Sequence, residues 1–186
     1  RVITRQWVRH NVFFSVHPLA RVPPINASGN GNPRYISSQL PYIAAVNALF
    51  AEYDGKDHVR LPEYIKHLPS KFTRLSDLEQ RKAIRSAQET TFYSKPERYK
   101  ERVLKKINEL EIAPSVVIDS GGGYHCYWLL QATHPVDDAN RADIQMLQHS
   151  WVQMVGADPG ASDLRRVLRV PGTFNRKAGF GEEPPL

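Results

Sequence analysis

Along the chain, apolar residues fall into blocks of clearly different period. Residues 12–16 are β-branched and aromatic and predict a strand. Pro23-Pro24 and the run 28–33 (Ser-Gly-Asn-Gly-Asn-Pro) carry enough breakers to exclude regular structure, which predicts a loop that a ligand could order. Residues 44–54 are apolar until two acids appear at their end, and 46–53 read as a buried strand. From 57 to 113 the chain turns charged and helical. Ser76-Asp-Leu-Glu79 is a capping box that opens a helix running to about Thr90, and Pro96 suits the first turn of a second helix ending near Glu111. Residues 114–119 form a short apolar strand that runs into three glycines. Residues 124–130 then alternate, with His125, Tyr127 and Leu129 on one face and Tyr124, Cys126, Trp128 and Leu130 on the other, so both faces are covered. The longest helical pattern spans 137–155, with Gly156 as its stop. Strands and helices in this order predict an α+β fold, as one domain of ordinary size with a helical insertion at about 57–113.

Candidate chemistry gathers at the ends of these strands. Glu52 and Asp54 stand two apart, and a period of two sends both carboxylates to one side, roughly 6 to 7 Å apart at Cβ. Such a pair repels itself unless a cation lies between, and hard oxygen ligands suit Mg²⁺ or Mn²⁺. Taken alone, Glu-x-Asp also suits a strand leaving into a turn. A third acid, Asp158, follows the long helix, and Arg166 and Arg169 come eight and eleven residues later. An acid followed by two guanidiniums makes sense if the acid holds a metal while the arginines grip phosphate oxygens. Asp163 is the alternative third acid. Gly121, Gly122 and Gly123 can present backbone N–H groups to phosphate, and His125 just beyond them can donate to a phosphate oxygen or carry a proton near neutral pH. A strand, not a helix, follows these glycines, which separates them from a P-loop and from a dinucleotide fingerprint.

Composition narrows the setting. A net charge of +6, from 25 Lys and Arg against 19 Asp and Glu, is compatible with a polyanionic partner. Lys95, Arg98, Lys100, Arg102, Lys105 and Lys106 concentrate that charge on the second helix, where a solvated face is the plainer explanation. One cysteine, Cys126, cannot form an intrachain bridge, which points to a reducing, cytoplasmic setting, and no apolar run is long enough to cross a membrane. Scattered histidines lack zinc-ligand spacing, and no nucleophile elbow is present. The chain opens on Arg1 and closes on Glu-Glu-Pro-Pro-Leu, as expected of a piece of a longer protein.

Three motifs in order, Glu52-x-Asp54, Ser120 to His125 and Asp158 leading to Arg166-x-x-Arg169, resemble those of the archaeo-eukaryotic primase superfamily. The likeness is strongest to primase-polymerase and RepB-like primase domains of plasmids, phages and mobile elements. Ser-Gly-Gly-Gly-x-His-x-Tyr-Trp at 120–128 and Arg-x-Pro-Gly-Thr-x-Asn-x-Lys at 169–177 carry it, and it spans about residues 13–177. The resemblance implies an RRM-like mixed sheet backed by helices, a smaller N-terminal α/β unit, and an active site in the groove between them. It implies that Glu52, Asp54 and Asp158 bind Mg²⁺ or Mn²⁺, and that His125 contacts the triphosphate of a dNTP or NTP. Arg166, Arg169, Asn175 and Lys177 would complete the nucleotide site. Whether Ser120 or a glycine N–H makes the phosphate contact stays open. DNA template and primer are the implied partners, with a helicase domain or replication protein outside this stretch. A non-catalytic initiation or strand-binding module on the same fold is the alternative. A rolling-circle nickase would want a His-x-His pair, which is absent from the His125 strand.

Overall fold

The computed structural model describes residues 11–20, 25–27, 33–35, 40–181 and 184–185, and its fold is α+β. Its elements are β1 (Phe13–Ser15), β2 (Ile25–Ala27), β3 (Pro33–Tyr35), β4 (Ala45–Asp54), α1 (Leu61–Tyr64), α2 (Asp77–Ser94), α3 (Pro96–Asn108), β5 (Val116–Asp119), β6 (Gly123–Pro135), α4 (Arg141–Met154) and β7 (Val167–Arg169). β6 is the centre of a three-stranded sheet in the order β4-β6-β5. Every described strand pairing is antiparallel, so the sheet is not mixed as expected.

The alternation in β6 does what its sequence predicts. Cys126 and Trp128 join Leu49, Ala51 and Tyr53 of β4 against Val103 and Ile107 of α3 and Val152 of α4. On the other face, Tyr127 packs with Ala48 and Phe50 of β4 and with Leu168 of β7. That second face is closed by β1 and β7, which pair with each other across most of the chain, Phe13 opposite Arg169. Residues 164–169 are therefore a turn followed by a strand.

β4 is an edge strand, and an edge leaves backbone groups that need partners. The Gln148 side chain of α4 supplies them at Phe50. Its amide nitrogen donates to the Phe50 carbonyl at 2.8 Å and its amide oxygen accepts from the Phe50 N–H at 3.3 Å. Tyr53 adds a hydroxyl bond to the Val155 carbonyl at 2.9 Å. Helix α4 is thus tied along β4, which fixes where the chain after Met154 emerges.

Element boundaries moved where distant partners decide them. β6 runs on to Pro135 because Val46 and Ala45 pair with His134 and Pro135, past a register shift between Val46 and Ala48. Helix α2 continues to Ser94 because Thr91 and Phe92 are buried, Phe92 against Tyr99 of α3. Its capping box forms, the Glu79 carboxylate accepting from the Ser76 N–H at 2.9 Å. Helix α4 starts later than predicted. The Asp137 carboxylate accepts from the N–H groups of Ala139 and Asn140, so it shapes the turn ahead of the helix. The region read as structureless contains the β2–β3 hairpin, in which Pro33 opens its strand and so needs no ladder N–H. Pro23-Pro24 and residues 28–32 lie outside the described residues.

His17 is buried beside Phe50, with ring centroids 5.6 Å apart, and neither ring nitrogen has a partner among the described residues. Burial pulls its pKa down to about 4. The unfolded chain therefore takes up a proton on this residue below about pH 6.5 while the fold refuses it until about 4, and stability falls across that window. His17→Leu is expected to stabilise the protein by about 1 to 3 kcal/mol at pH 7, the cost of the unpaired group. That advantage should widen between pH 6.5 and 4; thermal melts of both proteins over this range check it.

Candidate active site

The β4–β6 register places the acid motif directly against the histidine strand. Glu52 is opposite His125 and Asp54 is opposite Gly123, with Glu52 Oε1 3.9 Å from His125 Nε2. The free edge of β4 then brings in the third acid. The Asp158 N–H donates to the Glu52 carbonyl at 3.0 Å, one strand period beyond the Gln148 clamp. Asp158 starts the short turn Pro159–Ala161, and its carboxylate accepts from the Gly160 N–H at 2.8 Å. Burial raises the Glu52 pKa. The charges of Asp54 and Asp158 push it further, against Arg166 and Lys177.

Asp54 already has a cation, since Lys56 Nζ lies 2.5 Å from its carboxylate and the Lys56 N–H also donates to it. Among the described residues, no three His, Cys, Asp or Glu side chains converge to hold an ion. The Asp163 carboxylate faces Arg165 at 3.3 Å, and Asp163 lines neither the cavity beside Glu52 nor the one beside Asp158.

Beside Glu52 is a cavity of about 80 Å³ whose polar lining is Ser120, His125, Arg169, Asn175 and Lys177 as well as Glu52, with Phe13, Val167 and Leu168 completing its wall. All but Glu52 of these polar residues come from β6, β7 and the segments following β5 and β7, which the fold alone unites. Arg169 is the buried cation at its back, 5 % exposed. Its guanidinium donates to Asn11 Oδ1, the Phe174 carbonyl and Asn175 Oδ1, all neutral acceptors, and lies over the Phe13 ring at 5.1 Å. Among the described residues, neither it, Arg166 nor Lys177 forms a carboxylate ion pair. Burial lowers the pKa of Arg169, with Glu52 opposing. A buried guanidinium held only by neutral oxygens still has charge to give to an anion. The same field acts on His125, whose pKa is held at about 4 by burial and by Arg169, Lys177 and Arg166. At that pKa the imidazole is neutral at pH 7, whereas the sequence suggested a proton carried near neutral pH. His125 Nδ1 and Arg166 Nε are buried with no partner among the described residues.

The glycine turn meets a structural need of its own. Gly121 has φ +81° and its N–H donates to Asp119 Oδ1 at 2.7 Å, so that donor is taken. A Cβ on Gly123 would overlap the Tyr53 carbonyl oxygen. These two glycines let the turn close on β4, and Ser120 is the member of Ser120-Gly-Gly-Gly123 that lines the cavity. The turn is braced from both sides. Buried Lys100 of α3 reaches Asp119 at 2.7 Å, and Asn175 Nδ2 donates to the Ser120 carbonyl at 2.8 Å while its Oδ1 accepts from Arg169.

Residues 44–184 match the family model for the RepB DNA-primase N-terminal domain. The chain belongs to that family. A relative named Replication protein, from Clostridium perfringens, is 32% identical over 91 residues. The match covers 46% of this chain and 22% of the relative, so the chain corresponds to a minor part of that longer protein. No solved structure matches the chain. In this RepB-family domain no described helix is long and apolar enough to cross a membrane.

The motif residues were legible one by one, but Asn11, Asp119 and Lys100 were not. Asp119 had a usable signal, an acid ending a strand two residues before a glycine. Lys100 had none, being one of several lysines on a basic helix. The electrostatics of the domain yield a direct expectation. Because Glu52 has a raised pKa, its ionised form costs stability above its folded pKa and costs nothing below the unfolded one. Glu52→Gln should raise the melting temperature at neutral pH, and the gain should shrink as pH falls toward the ordinary carboxylate value; calorimetry in metal-free buffer checks it.

Proposed function

We propose that this domain is the catalytic part of a replication primase that transfers a nucleotide from a dNTP or NTP to a primer 3′-hydroxyl on a DNA template. The carrying observation is the adjacency of the two halves of the site. A phosphate-sized cavity with a buried, carboxylate-free Arg169 abuts three carboxylates that repel one another. Family membership supports the same reading.

In this scheme Arg169 and Lys177 take the β- and γ-phosphate oxygens, neutral His125 donates to one of them, and Ser120 offers its hydroxyl. Asn175 and Asp119 keep these groups in place. The fit of Mg²⁺ or Mn²⁺ rests on donor chemistry. Glu52, Asp54 and Asp158 are hard oxygen donors whose mutual repulsion a cation relieves, and Lys56 now stands as the cation at Asp54. The missing three-ligand cage does not oppose this, because Mg²⁺ is commonly held by one or two carboxylates plus substrate phosphates. Bound there, the ion would supply charge neutralisation at the reacting phosphate. The groove holding template and primer, and any helicase or initiation partner, belong to the same proposal.

Incorporation of a labelled nucleotide on a primed template with Mn²⁺ tests the function. Asp54→Ala and Asp158→Ala should each lower it by about 100-fold or more, the scale of losing a transition-state electrostatic contact, with melting temperature little changed. Retained DNA binding without incorporation in the unmodified chain would make it a non-catalytic strand-binding module. Independently, pyrophosphate should raise the melting temperature of the unmodified protein, and Lys177→Ala should reduce that shift.

A further inference from the structure

Phosphoryl transfer runs with the attacking and leaving oxygens roughly in line. If pyrophosphate leaves into the cavity of His125, Arg169 and Lys177, the attacking hydroxyl arrives from the other side of the carboxylates. A second cavity of about 310 Å³ takes Asp54 and Asp158 into its lining, with Tyr53, Asp57, His58 and Lys106 among others, and shares no lining residue with the first. It shares Asp57, His58 and Lys106 with a third cavity of about 590 Å³, whose walls add Arg60, Arg102 and Lys105. The two form one trough that starts at the acids and runs along α3.

The charge of this trough changes along its length. Asp54 and Asp158 mark the near end, and four cations, Arg60, Arg102, Lys105 and Lys106, line the far part against Asp57 and Glu109. Arg102 is committed to the fold, since it grips Glu63 through two bonds of 2.6 and 2.7 Å. The others keep charge to give. Lys106 donates to the Gly156 carbonyl, a neutral acceptor, and stands over the Tyr53 ring. Lys105 is 78 % exposed, and its carboxylate neighbour Glu109 is 3.9 Å away. The positive field is felt by His58, whose pKa is lowered by burial and by Lys106 and Arg102.

We infer that this trough seats the growing strand, its 3′-terminal nucleotide in the acid-lined cavity and the phosphates behind it along Lys106, Lys105 and Arg60. The basic face of α3 then has a specific task, where composition suggested a solvated surface. The inference deepens the nucleotidyl-transfer reading and rests on it, because the direction of approach comes from in-line geometry. A channel of this kind binds by phosphate neutralisation, which makes it sensitive to salt and indifferent to sequence.

The test uses the double variant Arg60→Ala/Lys105→Ala, both side chains being outside the catalytic constellation. Fluorescence anisotropy with a primed template should show affinity reduced about tenfold, and a log-log salt slope smaller by about 1.8, for two phosphate contacts on a duplex at about 0.9 each. The pyrophosphate-induced melting shift should be unchanged. A primer carrying 4-thiothymidine next to its 3′ end should cross-link to residues 58–60 or 102–106, while the same label in the template strand should not. Wild-type affinity and salt slope in the double variant overturn the assignment, as does cross-linking from the template label alone. If nucleotides are incorporated but the double variant binds like the parent, the trough fails and the transferase reading stands. If strand binding and cross-linking behave as stated without incorporation by the unmodified chain, the trough stands and the transferase reading fails.

Discussion

The outer edge of β4 is the constraint on which the rest of the structure depends. An edge strand carries unpaired backbone groups, and here they are met by two devices from one stretch of chain, the Gln148 amide at Phe50 and the Asp158 N–H at Glu52. The first fastens α4 to the sheet. The second delivers an acid from more than 100 residues away to the end of the strand that carries Glu52 and Asp54. Satisfying backbone hydrogen bonds and assembling a charged site are here one geometric act. The inner edge of β4 does the complementary job, since its pairing with β6 sets His125 opposite Glu52.

What results is a site divided by charge. On one side are cations, of which Arg169 is buried and held by neutral oxygens, and on the other are carboxylates, among which burial raises the pKa of Glu52. Each half has a cost of its own, since a guanidinium held only by neutral oxygens and a carboxylate pressed by neighbouring acids are both unfavourable in a partly dry site. His125 lies at the boundary and feels both, but burial and the nearby cations dominate, so it is neutral at pH 7.

The support around this site is quieter and equally specific. Lys100 holds Asp119, Asp119 holds the Gly121 N–H, and Asn175 joins the Ser120 carbonyl to Arg169. A side chain on α3 is in this way linked through the turn to a guanidinium on β7. Positions of that sort tolerate little error because the partners are short, and several are buried.

The sequence by itself determined the local things. Alternation in 124–130 marked both covered faces of β6, the capping box opened α2, Pro96 began α3, and the paired signatures at 120–128 and 169–177 named the residues that converge. Its errors were of one type. It ran β6 too short, and it did not show where the chain after α4 closes against the sheet. Each depends on a partner far along the chain: His134 on Val46, Arg169 on Phe13, and the Asp158 N–H on the Glu52 carbonyl. Periodicity and propensity act over a few residues, and so they are readable in order along the chain. Which backbone closes against which edge, and hence which charges become neighbours, is decided by packing and hydrogen-bond satisfaction across the whole fold, and only the tertiary structure could supply it.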